Sequence, residues 1–227
     1  MDVAGVVLVD DHPLFRRGVA ELLTESQRFE VLAEFDTAQE LLPSLDRLHP
    51  ELILLDLQMP GTDGMALLER IKSLHDDVWV VMLTASDSSD HLLRAIQLGA
   101  DGYLLKDTDP DIILERLEAV LEGKVGLNDE MVMMLAQRLR SERSRACAGV
   151  DDVPPDWPAA LTERECLTLR WIAKGLSNKL IAREMGISDS TVKVYVKNLL
   201  RKLNLRSRLE LAAWVHAHPL PPEGEPT

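Results

Sequence analysis

Through the first half of the chain, short apolar runs rich in β-branched residues alternate with segments of helical period. The runs fall at 6–9, 31–35, 52–55, 78–83 and 102–105. The helical segments between and after them fall at 14–24, 38–48, 65–74, 91–98 and 111–121. Five β units each followed by α predict a parallel sheet covered on both faces. Right-handed crossovers then give a doubly wound α/β domain. Pro43 lies inside the second helical pattern and predicts a kink or an irregular start there.

The second half reads differently. Met131, Leu135 and Leu139 at spacing four predict one helix over 128–143. The stretch 144–158 holds Ala, Gly, three Asp and three Pro, the composition of a linker. Thr162-Glu-Arg-Glu165 fits a capping box that opens a helix. Helices over 177–185 and 188–203 follow, and the short 186–188 segment between them suits a helix-turn-helix. A last helix is predicted over 207–217, before a Pro-rich tail at 219–227. The resulting divisions are 1–125, 126–158 (linker helix and flexible linker), 159–218 and 219–227.

Charge sharpens this division. The net charge is −13. Residues 156–218 carry eleven basic and six acidic side chains, a net of +5. The remainder carries fourteen basic and thirty-two acidic ones, a net of −18. An acidic part joined to a basic part suggests separate partners for the two. No apolar run approaches the ~18 residues that cross a membrane. The acidic start predicts no secretory signal. Cys147 and Cys166 lack metal-ligand spacing and read as incidental thiols of a cytoplasmic protein.

In an open α/β sheet, ligands bind beyond the carboxyl ends of the strands. Asp10 and Asp11 follow the first strand, Asp56 the third, Thr84 the fourth and Lys106 the fifth. Singly, each has an ordinary reading: a turn, a helix cap, a solvated end. His12 reads as a helix-entry residue. Together they describe one crevice. Three carboxylates need a counter-charge to stay ionised there, and Mg²⁺, with its preference for oxygen ligands, supplies one. Lys106 and Thr84 add a point charge and a hydroxyl suited to phosphoryl oxygens. A carboxylate so placed can attack a phosphoryl donor and form an acyl phosphate.

Val9-Asp10-Asp11-His12, Asp56 with Met59-Pro60-Gly61 and Asp63-Gly64, Thr84-Ala85, and Gly99-Ala-Asp-Gly-Tyr-Leu-Leu-Lys106 together resemble the receiver domain of two-component response regulators. The match covers about 1–125. It implies a flavodoxin-like (βα)₅ fold with Asp56 as phosphoacceptor. Asp11, Asp56 and the Gln58 backbone carbonyl would hold Mg²⁺ directly, with Asp10 acting through water. Thr84 and Lys106 would bind phosphoryl oxygens, and Tyr103 would be the aromatic switch. Asp107 stands where many such receivers carry proline.

In the basic half, Lys193, Lys197 and Arg201 recur at spacing four, opposite Val192, Val196, Leu199, Leu200 and Leu203. This stripe behind a helix-turn-helix spacing suits insertion into the major groove. Leu161-Thr-Glu-Arg-Glu165, Gly175-Leu-Ser-Asn-Lys179, Ile187-Ser188 and Thr191-Val-Lys-Val194 resemble the four-helix DNA-binding domain of the LuxR/NarL (FixJ) regulators, with most likeness to the nitrate/nitrite-responsive subfamily. By that resemblance Lys193, Val194 and Lys197 face bases. Lys179, Thr191, Arg201 and Lys202 are weaker assignments to phosphate, and the last helix dimerises.

The resemblance implies a DNA-binding regulator phosphorylated on Asp56 by a sensor histidine kinase. In it, phosphorylation would uncover the recognition helix and promote dimeric binding to double-stranded DNA. RNA polymerase would be a further partner, and the protein would not be an enzyme beyond taking up and slowly losing the phosphoryl group. Two other readings stay open on the residues alone. One is a Mg²⁺-dependent phosphatase with Asp56 as its nucleophile. The other is an interaction module whose helical domain never meets DNA.

Overall fold

β-Branched and leucine-rich strands with most residues buried demand cover on both faces, and the computed structural model supplies it. The structure describes residues 3–75, 78–86, 88–124 and 161–217, and falls into two units, Met1–Leu121 and Glu122–Thr227. The helix predicted over 128–143, the linker, the Pro-rich tail and Cys147 lie outside the described residues.

The first unit runs β1 (Ala4–Val9), α1 (Pro13–Glu25), β2 (Phe29–Phe35), α2 (Leu41–Leu48), β3 (Leu52–Asp56), β4 (Gln58–Met59), β5 (Thr62–Asp63), α3 (Gly64–Leu74), β6 (Trp79–Thr84), α4 (Ser89–Gln97), β7 (Gly102–Leu105) and α5 (Pro110–Leu121). The five long strands pair in parallel in the order β2-β1-β3-β6-β7. This is the doubly wound order with its switch point between β1 and β3. One face seats Val6, Leu8, Leu52, Leu54, Val81, Leu83 and Leu104 against Val19 and Leu23 of α1 and Ile113, Leu117 and Val120 of α5. The alternate residues Val7, Val9, Ile53, Leu55, Val80 and Met82 are equally buried, as the two-residue period of a strand requires.

One sequence boundary needs correction, and one small element is new. The second helix begins at Leu41 rather than 38, with Pro43 in its first turn, where a missing N–H costs no intrahelical bond. The Pro60-Gly61 turn closes a small antiparallel hairpin, β4–β5, too short to register as a strand pattern.

The second unit holds four helices among the described residues: α6 (Glu163–Ala173), α7 (Asn178–Met185), α8 (Asp189–Lys202) and α9 (Arg208–Ala217). Each of the first three opens on a hydroxyl cap: Thr162, Ser177 and Ser188 accept from the backbone N–H of Glu165, Leu180 and Thr191. Thr162 and Glu165 close the predicted capping box. Gly186 ends α7 at φ 64°, a left-handed cap that glycine adopts without Cβ strain. Leu169, Ile172, Ile181, Val192, Leu199, Leu211 and Trp214 form one core.

A buried ion pair that the sequence did not announce braces the first unit. Lys72 of α3 donates to the Asp101 carboxylate and to the Val78 carbonyl, while Asp101 also accepts from Val80 N–H at 2.9 Å. Lys72→Met strands a buried carboxylate and is expected to lower stability by about 3–5 kcal/mol in chemical unfolding. A loss under ~1 kcal/mol would show that the pair is dispensable.

Candidate functional site

Strand register builds the first site. Val9 pairs with Leu55, so Asp10 and Asp56 leave adjacent strands at the same level. Thr84 pairs with Leu105, and Lys106 N–H donates to the Thr84 carbonyl at 2.8 Å. All four positions therefore face the carboxyl edge of the sheet. At Gly64 a Cβ would lie 2.6 Å from the Asp56 carbonyl oxygen, so only glycine lets α3 start this close to the end of β3.

Asp10 and Asp56 are almost wholly buried. Lys106 Nζ bridges them, 2.8 Å from Asp10 Oδ2 and 2.8 Å from Asp56 Oδ2, and lies 5.0 Å from the Phe15 ring centroid. Asp10 Oδ1 accepts from His12 N–H at 2.7 Å, and the Asp10 carbonyl accepts from Arg16. Asp56 Oδ1 accepts from Gln58 N–H at 3.1 Å. Asp10, Asp11, His12 and Asp56 each offer one donor atom within a 4.8 Å span. Thr84 is buried and its hydroxyl accepts from Ser86 N–H at 3.1 Å. Tyr103 is buried.

Burial pushes the Asp56 carboxyl above the usual carboxylate range, reinforced by Asp10 and opposed by Lys106 and the Gln58 N–H. Burial works against the Lys106 ammonium, but its bonds to Asp10 and Asp56 win and hold its pKa above the ordinary lysine value. The pocket thus sets three carboxylates against one lysine. Asp11 Oδ1 is buried and accepts no hydrogen bond among the described residues. A hard divalent cation fits that excess of oxygen donors.

The second site is the outer face of α8. Lys193, Lys197 and Arg201 are exposed along it, with Lys179 exposed on α7. Val194 is 56 % exposed, an apolar side chain with no place in the core. Thr191 is half-buried and tied to Ser188 through a 2.7 Å hydroxyl contact. Lys193 reaches Asp189 at 3.6 Å, a solvated pair of little energetic consequence. The apolar residues of α9 (Leu209, Leu211, Ala212, Trp214 and Val215) lie in the domain's own core.

Lys202, a weaker sequence assignment to phosphate, is instead engaged internally. Its Nζ lies 2.7 Å from Glu165 Oε2 and ties the end of α8 to the start of α6. The buried Arg208 does the same for α9, donating to Asn178 Oδ1 at 2.8 Å and to the Leu176 carbonyl at 2.6 Å. Neither pairing follows from spacing, because the partners lie 37 and 30 residues apart.

Comparisons agree with both halves. A response regulator receiver domain family matches residues 6–118, and the bacterial regulatory proteins of the luxR family match 159–215. A nitrate/nitrite response regulator protein homolog of Haemophilus influenzae is 41 % identical, covering 92 % of this chain and 94 % of the relative. The nitrate/nitrite response regulator NarL of Escherichia coli is 38 % identical over 94 % of this chain and 95 % of its own. The receiver domain of a NarL response regulator from Mycobacterium tuberculosis superposes with a TM-score of 0.52 at 33 % identity, covering 55 % of this chain and 100 % of that domain.

Glu165 supplies a pH-dependent test of the α6–α8 brace. Burial raises its carboxyl, but the bonds from Lys202 and Thr162 reverse this and hold it below the ordinary value of 4.5. A depressed folded pKa gives stability that is complete above the unfolded pKa and lost as pH falls through the folded one. Glu165→Gln is therefore expected to destabilise the full-length protein by about 2 kcal/mol at pH 7. The gap to wild type should close as pH drops below 4.5, read by tryptophan fluorescence during unfolding. A gap independent of pH would contradict the brace.

Proposed function

Since this chain belongs to the LuxR-type two-component response regulators, which join a receiver to a helix-turn-helix DNA-binding domain, we propose that phosphorylation of Asp56 switches its binding to DNA. The observation that carries this reading is the bridge of Lys106 between Asp10 and Asp56 at the strand ends. The receiver occupies 1–125 and the DNA-binding domain 159–218, with the phosphoryl group coming from a sensor histidine kinase in the cytoplasm.

Asp11, Asp56 and the Gln58 carbonyl would hold Mg²⁺, with Asp10 assisting through water. When bound, the ion neutralises charge on the phosphoryl oxygens. Asp56 is the nucleophile: its Oδ bonds to phosphorus as the donor's bond to phosphorus breaks, leaving an acyl phosphate. Its raised pKa keeps the reactive carboxylate form short as pH falls, so uptake weakens toward acid. Lys106 Nζ transfers its contact from the carboxylates to a phosphoryl oxygen, and the Thr84 hydroxyl donates to another. These moves act on the surface around Tyr103 and bias a two-state receiver. The added group thereby frees the recognition helix α8 and favours a dimer joined through α9, with RNA polymerase a further partner. Lys193, Val194 and Lys197 face the bases, where an exposed valine suits a thymine methyl. Lys179, Thr191 and Arg201 contact phosphates. The likeness to nitrate/nitrite regulators favours nitrate or nitrite as the stimulus.

Incubation with a small phosphoryl donor and Mg²⁺ tests the first half of the proposal. Intact mass should rise by one phosphoryl group in wild type and stay unchanged in Asp56→Asn. Labelling that survives in Asp56→Asn would place the acceptor elsewhere. For the second half, log Kd against log salt should lose roughly one unit of slope for each phosphate contact removed. Arg201→Ala and Lys179→Ala are expected to do so. Lys193→Ala should instead relax sequence preference at about 1–3 kcal/mol per base pair. Affinities unchanged in all three variants would favour an interaction module over a DNA-binding domain.

A further inference from the structure

The Lys106 ammonium ends a flexible four-carbon stem, yet the side chain is only 13 % exposed. Polar groups account for part of its fixing: Asp10 Oδ2 and Asp56 Oδ2 at 2.8 Å and His12 Nδ1 at 3.4 Å. The ammonium also lies over the Phe15 ring, 5.0 Å from its centroid. Two large apolar residues follow each other in the first turn of α1 and part ways. Leu14 is 90 % exposed, whereas Phe15 is half-buried and packs against the core formed by α1, α5 and the sheet. The ring is therefore anchored from behind while its face meets a cation, the arrangement of a cation–π contact.

Phosphoryl uptake upsets the polar contacts and leaves this one in place. Asp56 Oδ bonds to phosphorus as the donor's bond to phosphorus breaks. Lys106 keeps its proton, and its contact passes from the carboxylates to a phosphoryl oxygen. The ring carries no net charge and takes no part in that exchange. At rest the two carboxylate bonds hold the ammonium 5.0 Å from the centroid. Once they loosen, it can settle closer to the ring, so the ring attracts it more strongly during transfer than before. Only an interaction that grows in this way speeds the step.

We propose that Phe15 is a positioning residue for phosphoryl uptake, its ring face holding the Lys106 ammonium beside Asp56 while the carboxylates release it. The inference rests on the reading of Asp56 as the phosphoacceptor.

The test replaces Phe15 in the full-length protein with phenylalanines carrying one, two and three ring fluorines. Fluorine withdraws the negative face of the ring at nearly constant volume, so packing is kept while the cation–π attraction fades. With acetyl phosphate and Mg²⁺, the rate of labelling read by intact mass should fall stepwise, about two- to fivefold across the series. In a Lys106→Met background, labelling should be slower and indifferent to fluorination. Nuclear magnetic resonance of the metal-free protein gives a second readout: the Lys106 ε-methylene protons should be shifted upfield by the ring, and Phe15→Leu should abolish that shift. A rate independent of fluorination, a fluorine effect that persists in Lys106→Met, or unshifted ε-protons would overturn the role of Phe15 and leave the Asp56 reading intact. A wild-type protein that takes up no phosphoryl group would overturn both.

Discussion

Everything in the receiver half depends on keeping buried carboxylates ionised at the end of a β-sheet. Asp10 and Asp56 lie side by side because β1 and β3 pair in register at the switch point of the sheet. Two such anions out of water repel one another and favour protonation. Lys106 answers with one ammonium shared between them. One positive charge against three carboxylates leaves an excess of negative charge, and that excess is what suits the pocket to a divalent cation and a phosphoryl group together. A rigid parallel sheet is the appropriate mount, since β1, β3, β6 and β7, with no exposed residue, cannot slide without exposing their core.

The second half solves a different problem, the orientation of one helix. Helix α8 presents Lys193, Val194, Lys197 and Arg201 outward and buries Val192 and Leu199. Its start is held by the Ser188 cap and its end by Lys202 on Glu165. Glu165 also closes the capping box of α6, so one carboxylate fixes two helix ends. The excess of basic residues in this part suits the phosphate backbone of DNA.

Much of this was legible in sequence because it is written in short periods. Strand runs, helical spacing, the Thr162 capping box and the order of Asp10, Asp56, Thr84 and Lys106 at successive strand ends are local signals. The β4–β5 hairpin escaped because two-residue strands carry no period. The Lys72–Asp101, Glu165–Lys202 and Asn178–Arg208 pairs escaped because their partners are distant in sequence and meet only through packing. His12 was read correctly as a helix-entry residue, but a helix-entry position does not fix where its ring points. That direction comes from the backbone turn after β1, which no spacing rule encodes.

The central claim is that the state of Asp56 governs DNA recognition by α8. Pooled genomic fragments bound by full-length protein in Mg²⁺, with and without beryllofluoride as a phosphoryl mimic, address it most directly. The account predicts enrichment of a few fragments that depends on beryllofluoride and is lost in Asp56→Asn. Equal enrichment with beryllofluoride, without it and in the variant would contradict it.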